Sequence, residues 1–183
     1  LDYSGFCMGG ATGDLNRDGW TDLIISEYQG VRVFLNKGDG TFEPLTGKSA
    51  LHNPGWGTSC AIADLDRDGW PDLIVANYVD YDPTWPCTAP SGKREYCPPH
   101  TFHGQVTRIW KNKGAKNPAE PLRVDFEDIT ATSGLGSKPG PGLGLAVADF
   151  NGDGWLDILV ANDGKPNHLW IHQSNGGYIE EGL

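Results

Sequence analysis

The sequence predicts an all-β fold built from three blade-like units, each a sheet of four short antiparallel strands. Three observations predict it. A nine-residue acidic motif occurs three times, a short β-forming run follows each copy at once, and the segments on both sides of the motif also align. Four short strands per unit, repeated along a chain, are typical of β-propeller blades. We therefore expect the 183 residues to form a partial propeller, or part of a larger ring or array.

The first two strands of each unit are predicted on either side of the motif. Runs of small residues lie directly before it, at residues 9–13, 59–63 and 144–148. The runs LIIS, LIVAN and ILVAN follow it, and such apolar, β-branched residues favour strands. The acidic motif is therefore expected to form the loop between the first and second strand of each unit.

A third and a fourth strand are predicted further along each unit. The third ends in a polar hairpin, in which Asp39-Gly40 and Gly176-Gly177 are typical tight-turn pairs. The fourth is expected to open at Phe42, Phe126 and Tyr178 in the three units. The predicted units span residues 1–49, 50–134 and 135–183.

The motif itself has the composition of a cation-binding loop. Oxygen-bearing side chains stand at positions 1, 3, 5 and 9, a turn-forming Gly stands at position 6, and position 7 offers its backbone carbonyl. Calcium takes six to eight oxygen ligands from such a short loop. Acidic surface turns are the alternative, but three copies in register would repel themselves without a cation. The predicted ligands are Asp14, Asn16, Asp18, Trp20 and Asp22 in the first loop, Asp64, Asp66, Asp68, Trp70 and Asp72 in the second, and Asp149, Asn151, Asp153, Trp155 and Asp157 in the third.

The charge of the chain is concentrated in these loops. The chain has 24 Asp and Glu against 14 Lys and Arg, and the three loops hold ten of the acids. The remaining 14 acids equal the 14 bases, so the whole formal charge of −10 lies in the loops. Three divalent ions would cancel six units of it. The second loop has one carboxylate more than the others, and by charge count it should bind calcium most tightly.

The loops are not EF-hands. An EF-hand loop needs a bidentate Glu at position 12 and a helix on each side. Position 12 here is Ile25, Val75 or Val160, within a predicted strand.

An insertion interrupts the repeat within the second unit, at about residues 80–104. It is rich in Pro and holds two of the four cysteines, Cys87 and Cys97. Because a long polar insert has little core of its own, we expect these two to form a disulfide, with two free thiols as the alternative. Cys7 and Cys60 could also pair, or be small buried side chains, and we favour the second. A zinc site with His100 and His103 is not expected, since the spacing fits no standard ligand set.

The seven tryptophans divide into three predicted groups. The indoles at position 7 of the loops are expected to pack between units. Trp56, Trp110 and Trp170 are predicted to lie in blade cores. Trp85, in the insertion, is the one tryptophan considered for ligand contact.

Several function classes are disfavoured. No stretch approaches the roughly 20 apolar residues of a membrane span, and no basic stripe suggests nucleic acid. The chain has no HExxH, GxSxG or P-loop motif. A catalytic site is normally unique, whereas these acidic clusters are repeated, so we do not expect an enzyme.

The repeat resembles the FG-GAP or VCBS repeat of integrin alpha-subunit propellers. Asp64 to Asn77, Asp149 to Asn162 and the hairpin Asn36 to Phe42 carry the resemblance. The insertion, with ANYVDYDP, a Cys pair and RIWKNKG, is similar to bacterial secreted proteins related to cartilage acidic protein, which often carry an ASPIC/UnbV domain. The resemblance implies one Ca²⁺ in each loop, about three in all, an extracellular, cell-surface or periplasmic location, and a role in adhesion.

The resemblance also implies a larger object than this chain. Related propellers have some seven blades, and closed propellers need at least four, whereas three units are present here. We therefore expect either a piece of a longer protein, which we favour, or several copies that complete a ring or array. The predicted function is a calcium-stabilised, non-catalytic module for protein or glycan binding. The alternatives are a structural subunit of a calcium-dependent extracellular assembly and the propeller part of a larger secreted enzyme.

Overall fold

The computed structural model describes residues 4–45, 51–115 and 124–182 and places their strands in three antiparallel sheets of four. The first sheet comprises β1 (Cys7–Gly13), β2 (Asp22–Glu27), β3 (Gly30–Asn36) and β4 (Phe42–Pro44). The second comprises β5 (Gly57–Ala63), β6 (Asp72–Asn77), β7 (Arg108–Ala115) and β8 (Val124–Asp128). The third comprises β9 (Gly142–Ala148), β10 (Asp157–Asn162), β11 (His168–His172) and β12 (Tyr178–Glu180).

Each sheet is a meander in which neighbours in sequence are neighbours in space. The predicted all-β fold, with an acidic loop between the first and second strand of every sheet, is confirmed. The first strands begin two residues earlier than the small-residue runs indicated, and each carries a bulge or register shift near that end. The described residues include two short 3-10 turns, at Pro99–Thr101 and Leu135–Ser137, and no helix long and apolar enough to cross a membrane. The boundaries of the three predicted units remain a prediction.

Two apolar cores hold the sheets together. The core between the first and second sheets includes Ile24 and Val33 on one side and Leu73 and Trp110 on the other. The core between the second and third sheets includes Trp170, which is 1% exposed. Since strand side chains alternate between the two faces, the middle sheet contributes to both cores.

The predicted places of Trp110 and Trp170 in blade cores are confirmed, but that of Trp56 is wrong. Trp56 lies before β5, is only half-buried, and belongs to neither core. It instead meets Tyr28, Tyr78 and Tyr81 edge-on or tilted, at ring-centroid distances of 5.3 to 5.7 Å. Tyr28 and Tyr78 directly follow β2 and β6, and Tyr81 lies at the start of the insertion. The contacts therefore form where the chain leaves one sheet and approaches the next.

The insertion between β6 and β7 is tied down, as its cysteines predict. Cys87 and Cys97 form a disulfide, and an isolated bridge pairs Thr88 with Arg94. At the base of the insertion, the Asp80 N–H donates to the His103 carbonyl at 3.0 Å. Cys60 is buried, as expected, but Cys7 is exposed, and neither is in a disulfide.

Candidate metal-binding loops

The aspartate at position 9 of each loop is buried and anchors the loop to its sheet. Asp22, Asp72 and Asp157 are 0%, 3% and 0% exposed. One carboxylate oxygen accepts the N–H of the second loop residue, and the other accepts an N–H from the third strand. The donors are Leu15 and Asn36 for Asp22, Leu65 and Asn112 for Asp72, and Phe150 and His172 for Asp157, at 2.8 to 3.1 Å. The side chain at position 9 therefore joins the loop to two strands.

The aspartate at position 1 holds the turn itself. Its carboxylate accepts the N–H of the glycine at position 6, at 2.9 Å in the first loop, 3.0 Å in the second and 2.8 Å in the third. These glycines, Gly19, Gly69 and Gly154, have φ of 86° to 90°. Such values are costly for residues with a Cβ, which explains why glycine stands at position 6.

The aspartate at position 5 accepts the N–H of the tryptophan at position 7. The distances are 2.8 Å, 2.9 Å and 2.8 Å in the three loops. In the first and third loops, the Asn at position 3 also donates its amide to this carboxylate, at 2.8 and 3.0 Å. The loop backbone is thus wound around its acidic side chains.

The second loop brings three carboxylates within reach of one ion. Ligand oxygens of Asp64, Asp66 and Asp72 all lie within 4.8 Å of one another. Asp64 Oδ1 is buried and has no hydrogen-bond partner. A buried carboxylate oxygen without a partner is costly, and a hard cation satisfies it. The residues of this loop therefore fit a divalent cation.

The first and third loops differ from the second in this respect. Within the described parts of the chain, no other group of three His, Cys, Asp or Glu side chains comes as close together. Asn replaces Asp at position 3 in both loops, and its amide group turns toward position 5. The predicted ligand sets of all three loops remain predictions. Cys87 and Cys97 cannot ligate zinc while they form a disulfide.

Lys111 supplies a cation to the second loop. From β7, its Nζ contacts Asp66 and lies 3.2 Å from Asp68 Oδ2. The Asp66 carboxylate raises the pKa of Lys111 above its ordinary value. The pKa of Asp68 is lowered. Burial raises it, but the hydrogen bond from the Trp70 N–H and the contact with Lys111 together lower it by more.

The lysine changes the comparison between the loops. The strand register places Leu35 and Ile171 at the corresponding positions of the other sheets. The extra carboxylate of the second loop, Asp66, therefore comes with a positive charge that a count of loop acids omits. Calcium would have to displace Lys111 from these carboxylates. The free energy of that displacement opposes the predicted tightest binding of calcium by this loop.

Burial also affects the carboxylates at position 9. Desolvation raises the pKa of Asp72 to about 7, although the N–H groups of Asn112 and Leu65 oppose the shift. Burial likewise raises the pKa of Asp22. Without a cation, the ionised forms of Asp72 and Asp22 are thus destabilised. A bound cation would favour those ionised forms.

Arginines at position 4 connect neighbouring loops. The Arg17 guanidinium lies 5.2 Å from the Trp70 ring centroid, and that of Arg67 lies 4.3 Å from the Trp155 ring centroid. Arg67 also donates to the Gly154 carbonyl. Each such cation–π contact contributes roughly 0.5–1 kcal/mol at exposed sites. Trp70 and Trp155 thus contact the preceding unit, as predicted, whereas Trp20 is exposed. Sequence analysis missed the arginines, although the same residue at position 4 in two loops was a usable signal.

Two known protein families match the segments that contain these repeats. Residues 14–75 match the FG-GAP-like repeat family and residues 141–179 match the FG-GAP repeat family. Together the two matches cover more than half of the chain. The chain belongs to the FG-GAP repeat family. This confirms the resemblance predicted from the motif, and the three sheets are FG-GAP blades of the β-propeller type.

The chain is also similar to a segment of cartilage acidic protein 1. The Homo sapiens and Mus musculus proteins are each 37% identical to this chain over 54 residues, and the Xenopus tropicalis protein is 35% identical over 54 residues. The match covers 30% of this chain and 8% of each relative. It therefore spans only a small part of the length of these curated relatives.

Proposed function

We propose that this FG-GAP chain is a calcium-stabilised, non-catalytic module that binds a protein or glycan outside the cell. The observation that carries the proposal is the buried, unpartnered Asp64 Oδ1 beside Asp66 and Asp72. Oxygen-only donors on a short loop favour calcium over softer metals. One ion in each loop would be held by the residues at positions 1, 3, 5, 7 and 9, about three ions in all.

The role of the ion in this proposal is structural. A bound cation neutralises the loop carboxylates. The buried residues at position 9 then hold the loop against the second and third strands. Because the same arrangement occurs in three blades, it supports a scaffold role rather than a reaction centre. The blades would present the inserted segment as a rigid contact surface, since binding residues concentrate on loops held by a scaffold.

The proposed location rests on two observations. The Cys87–Cys97 disulfide suits an oxidising compartment. Calcium loops of modest affinity fill only where free calcium is high, as it is outside the cell. The charge balance supports the absence of a nucleic-acid partner, because the loops create a negative field.

Calcium is expected to raise the unfolding temperature of the chain by about 5 to 10 °C. A ligand at 100 times its dissociation constant stabilises the folded state by about 2.7 kcal/mol. In a domain of this size, each kcal/mol of added stability raises the unfolding temperature by roughly 2–4 °C. In Asp64→Asn, the stabilisation by calcium should shrink, because the unpartnered oxygen is replaced. Calorimetry in millimolar calcium and after chelation measures both effects.

A matched variant and a second ion make this test specific. Glu43→Gln removes one exposed acid outside the loops and should keep the full response to calcium. Magnesium at the same concentration should stabilise less, because it retains its waters. An unchanged unfolding temperature in calcium and in chelator would contradict the proposed calcium module.

We infer a second candidate function, assembly through stacked blades, from the strand register. A row of apolar residues crosses the first three strands of each sheet. The rows are Ala11, Ile24 and Val33 in the first sheet, Ala61, Ile74 and Ile109 in the second, and Ala146, Leu159 and Leu169 in the third.

The first two rows are covered by the following sheet. Ile24 and Val33 lie in the core between the first and second sheets, and Ile74 and Ile109 lie in the core between the second and third. In the third sheet the row belongs to neither core, and Ile179 on the same face is 56% exposed. This face therefore has the residues of a blade interface.

The occupant we infer is the first sheet of a second copy of this chain. On the far face of that sheet, Thr12 is exposed and Leu23 is half-buried, while Phe34, which pairs with Leu23, is buried. Repeating the existing blade contact between copies would produce a head-to-tail assembly. It differs from the binding module in requiring no foreign ligand.

Leu159→Asp is expected to abolish this self-association. A carboxylate on the packing face would be desolvated without a partner, so the variant should remain monomeric where the unchanged chain associates. Light-scattering mass, measured in calcium over a hundredfold range of concentration, shows the difference. Ser174→Asp adds the same charge to the β11–β12 hairpin and should associate normally. A chain that stays monomeric throughout, or a Leu159→Asp variant that associates like it, would rule out this assembly.

A further inference from the structure

The insertion contains a cleft that the calcium loops do not use. The cleft has a volume of about 450 Å³, within the range of small-ligand sites. It lies between the start of the insertion and its disulfide-bonded hairpin. The side chains that matter here are Tyr81, Asp82, Trp85, Arg94, Glu95 and Tyr96.

Two aromatic side chains of the cleft are strongly exposed. Trp85 is 51% exposed and Tyr96 is 91% exposed. Neither belongs to the cores that hold the sheets together. Phe102 packs against Trp85 with ring centroids 6.5 Å apart, so it supports one side of the indole. Exposed aromatic groups at a concave site are a feature of binding surfaces rather than of folding cores.

The cleft is held in shape before any ligand binds. The Cys87–Cys97 disulfide closes the hairpin, and the Cys87 N–H donates to the Trp85 carbonyl at 3.0 Å. On the other side, Arg94 Nη2 donates to the Pro83 carbonyl at 2.7 Å. A site that is rigid in the free protein loses less entropy on binding.

The polar groups of the cleft offer both donors and acceptors. Thr84 donates to Asp82 Oδ1 through its N–H and its hydroxyl, which leaves the second carboxylate oxygen as an acceptor. Glu95 adds another carboxylate, and the remaining N–H groups of Arg94 are donors. Two carboxylates against one guanidinium, on a chain of charge −10, disfavour anionic ligands. The guanidinium offsets one of the two carboxylates, so the cleft carries one net negative charge.

We propose that this cleft binds a neutral saccharide unit between Trp85 and Tyr96. Aromatic faces pack against the C–H faces of a sugar ring, while carboxylates and a guanidinium pair with its hydroxyl groups. This inference rests on the proposed binding function and names its ligand class. It uses groups outside the calcium loops, so the two proposals can fail separately.

The test uses the whole chain in calcium on an array of neutral, sialylated and sulfated oligosaccharides. The unchanged chain should bind neutral members selectively. For a bound oligosaccharide, Trp85→Ala should weaken binding by at least about tenfold, as for buried aromatic anchors in interfaces. Trp85→Phe should recover part of that loss. Titration of the same oligosaccharide should also change the tryptophan fluorescence of the unchanged chain but not that of Trp85→Ala.

Controls separate this site from general effects of mutation. Phe6→Ala removes another exposed aromatic side chain, 62% exposed, outside the cleft and should bind as the unchanged chain does. Each variant should retain the calcium-dependent unfolding temperature of the unchanged chain. Loss of calcium stabilisation with saccharide binding intact would overturn the calcium module and leave the cleft assignment in place.

Three outcomes would overturn the saccharide assignment. One is an array on which no neutral oligosaccharide is bound while calcium still stabilises the chain. Another is equal binding by the unchanged chain and Trp85→Ala. The third, measured with a trimethyl-lysine peptide as a separate probe beside the array, is preferential binding of that peptide that Trp85→Ala loses, which would identify the cleft as a site for cationic peptide.

Discussion

Asp157→Ala is expected to lower the free energy of unfolding of the calcium-free chain by about 3 to 5 kcal/mol. The Asp157 carboxylate is fully buried and accepts the N–H groups of Phe150 and His172, both at 2.9 Å. Alanine removes both acceptors at once. Each buried donor left without a partner costs about 1–3 kcal/mol, and the small side chain adds a void. Urea unfolding after removal of calcium measures the loss.

Two further substitutions distinguish this anchor from a ligand that serves only the ion. Asp157→Asn keeps one oxygen acceptor and should lose about half as much stability. Asp153→Ala lies in the same loop, but its carboxylate is exposed and accepts the Trp155 N–H. Without calcium, Asp153→Ala should cost much less stability than Asp157→Ala, because its hydrogen bond with the Trp155 N–H is exposed to water.

The two variants in the calcium-free chain separate a structural role of Asp157 from a role as a metal ligand. If Asp157 acted only as a metal ligand, Asp157→Ala and Asp153→Ala would be equally harmless after chelation. A large loss that is confined to Asp157→Ala shows that the position-9 carboxylate holds the blade together even in the absence of the ion. Equal, small losses would mean that its two hydrogen bonds contribute little.

Much of the fold could be predicted because each blade repeats a local pattern. The acidic loop, the LIVAN-type strand after it and the hairpin turns are short-range features, and strand alternation assigns their faces. The disulfide was also predictable, because Cys87 and Cys97 are close together in a segment with little core. Trp110 and Trp170 could be placed because each stands beside an isoleucine on a predicted third strand.

Contacts between blades could not be predicted in the same way. The contact of Lys111 with Asp66 depends on the register of β6 and β7, and the arginine–tryptophan pairs depend on how one sheet stacks on the next. Trp56 was predicted to lie in a blade core, yet residues that follow β2 and β6 and the start of the insertion meet around it. These arrangements follow from tertiary packing, which a repeat alignment within single units does not contain.

In the calcium-free chain, Asp72 is expected to lower the stability as the pH rises from about 4 to about 7. Burial raises the pKa of Asp72 from 3.8 to about 7, so within this range the folded chain holds a proton that the unfolded chain has released. Raising the pH therefore favours the unfolded chain, by at most about 1.4 kcal/mol per pH unit from this group. Burial of Asp22 acts in the same direction.

Other carboxylates do not cancel this effect in the same range. Hydrogen bonds from Thr41 lower the pKa of Asp39, and hydrogen bonds from Thr84 lower the pKa of Asp82, each from a usual value of 3.8. Their contributions to stability are lost only as the pH falls below about 4. Burial lowers the pKa of His168 from its usual value of 6.5, so His168 acts in the opposite direction in the upper part of this range. The difference between the unchanged chain and Asp72→Asn therefore isolates the contribution of Asp72.

Calcium should reverse this dependence, because the ion binds the ionised carboxylate and competes with the proton. The stabilisation by saturating calcium, obtained from urea unfolding at pH 4.5, 5.5, 6.5 and 7.5, should therefore increase up to about pH 7 and then level off. In Asp72→Asn this increase should be smaller, because one titrating ligand is absent. A calcium effect that is independent of pH would show that Asp72 is already ionised without the ion. Lys111, rather than a proton, would then be the cation that calcium displaces from the second loop.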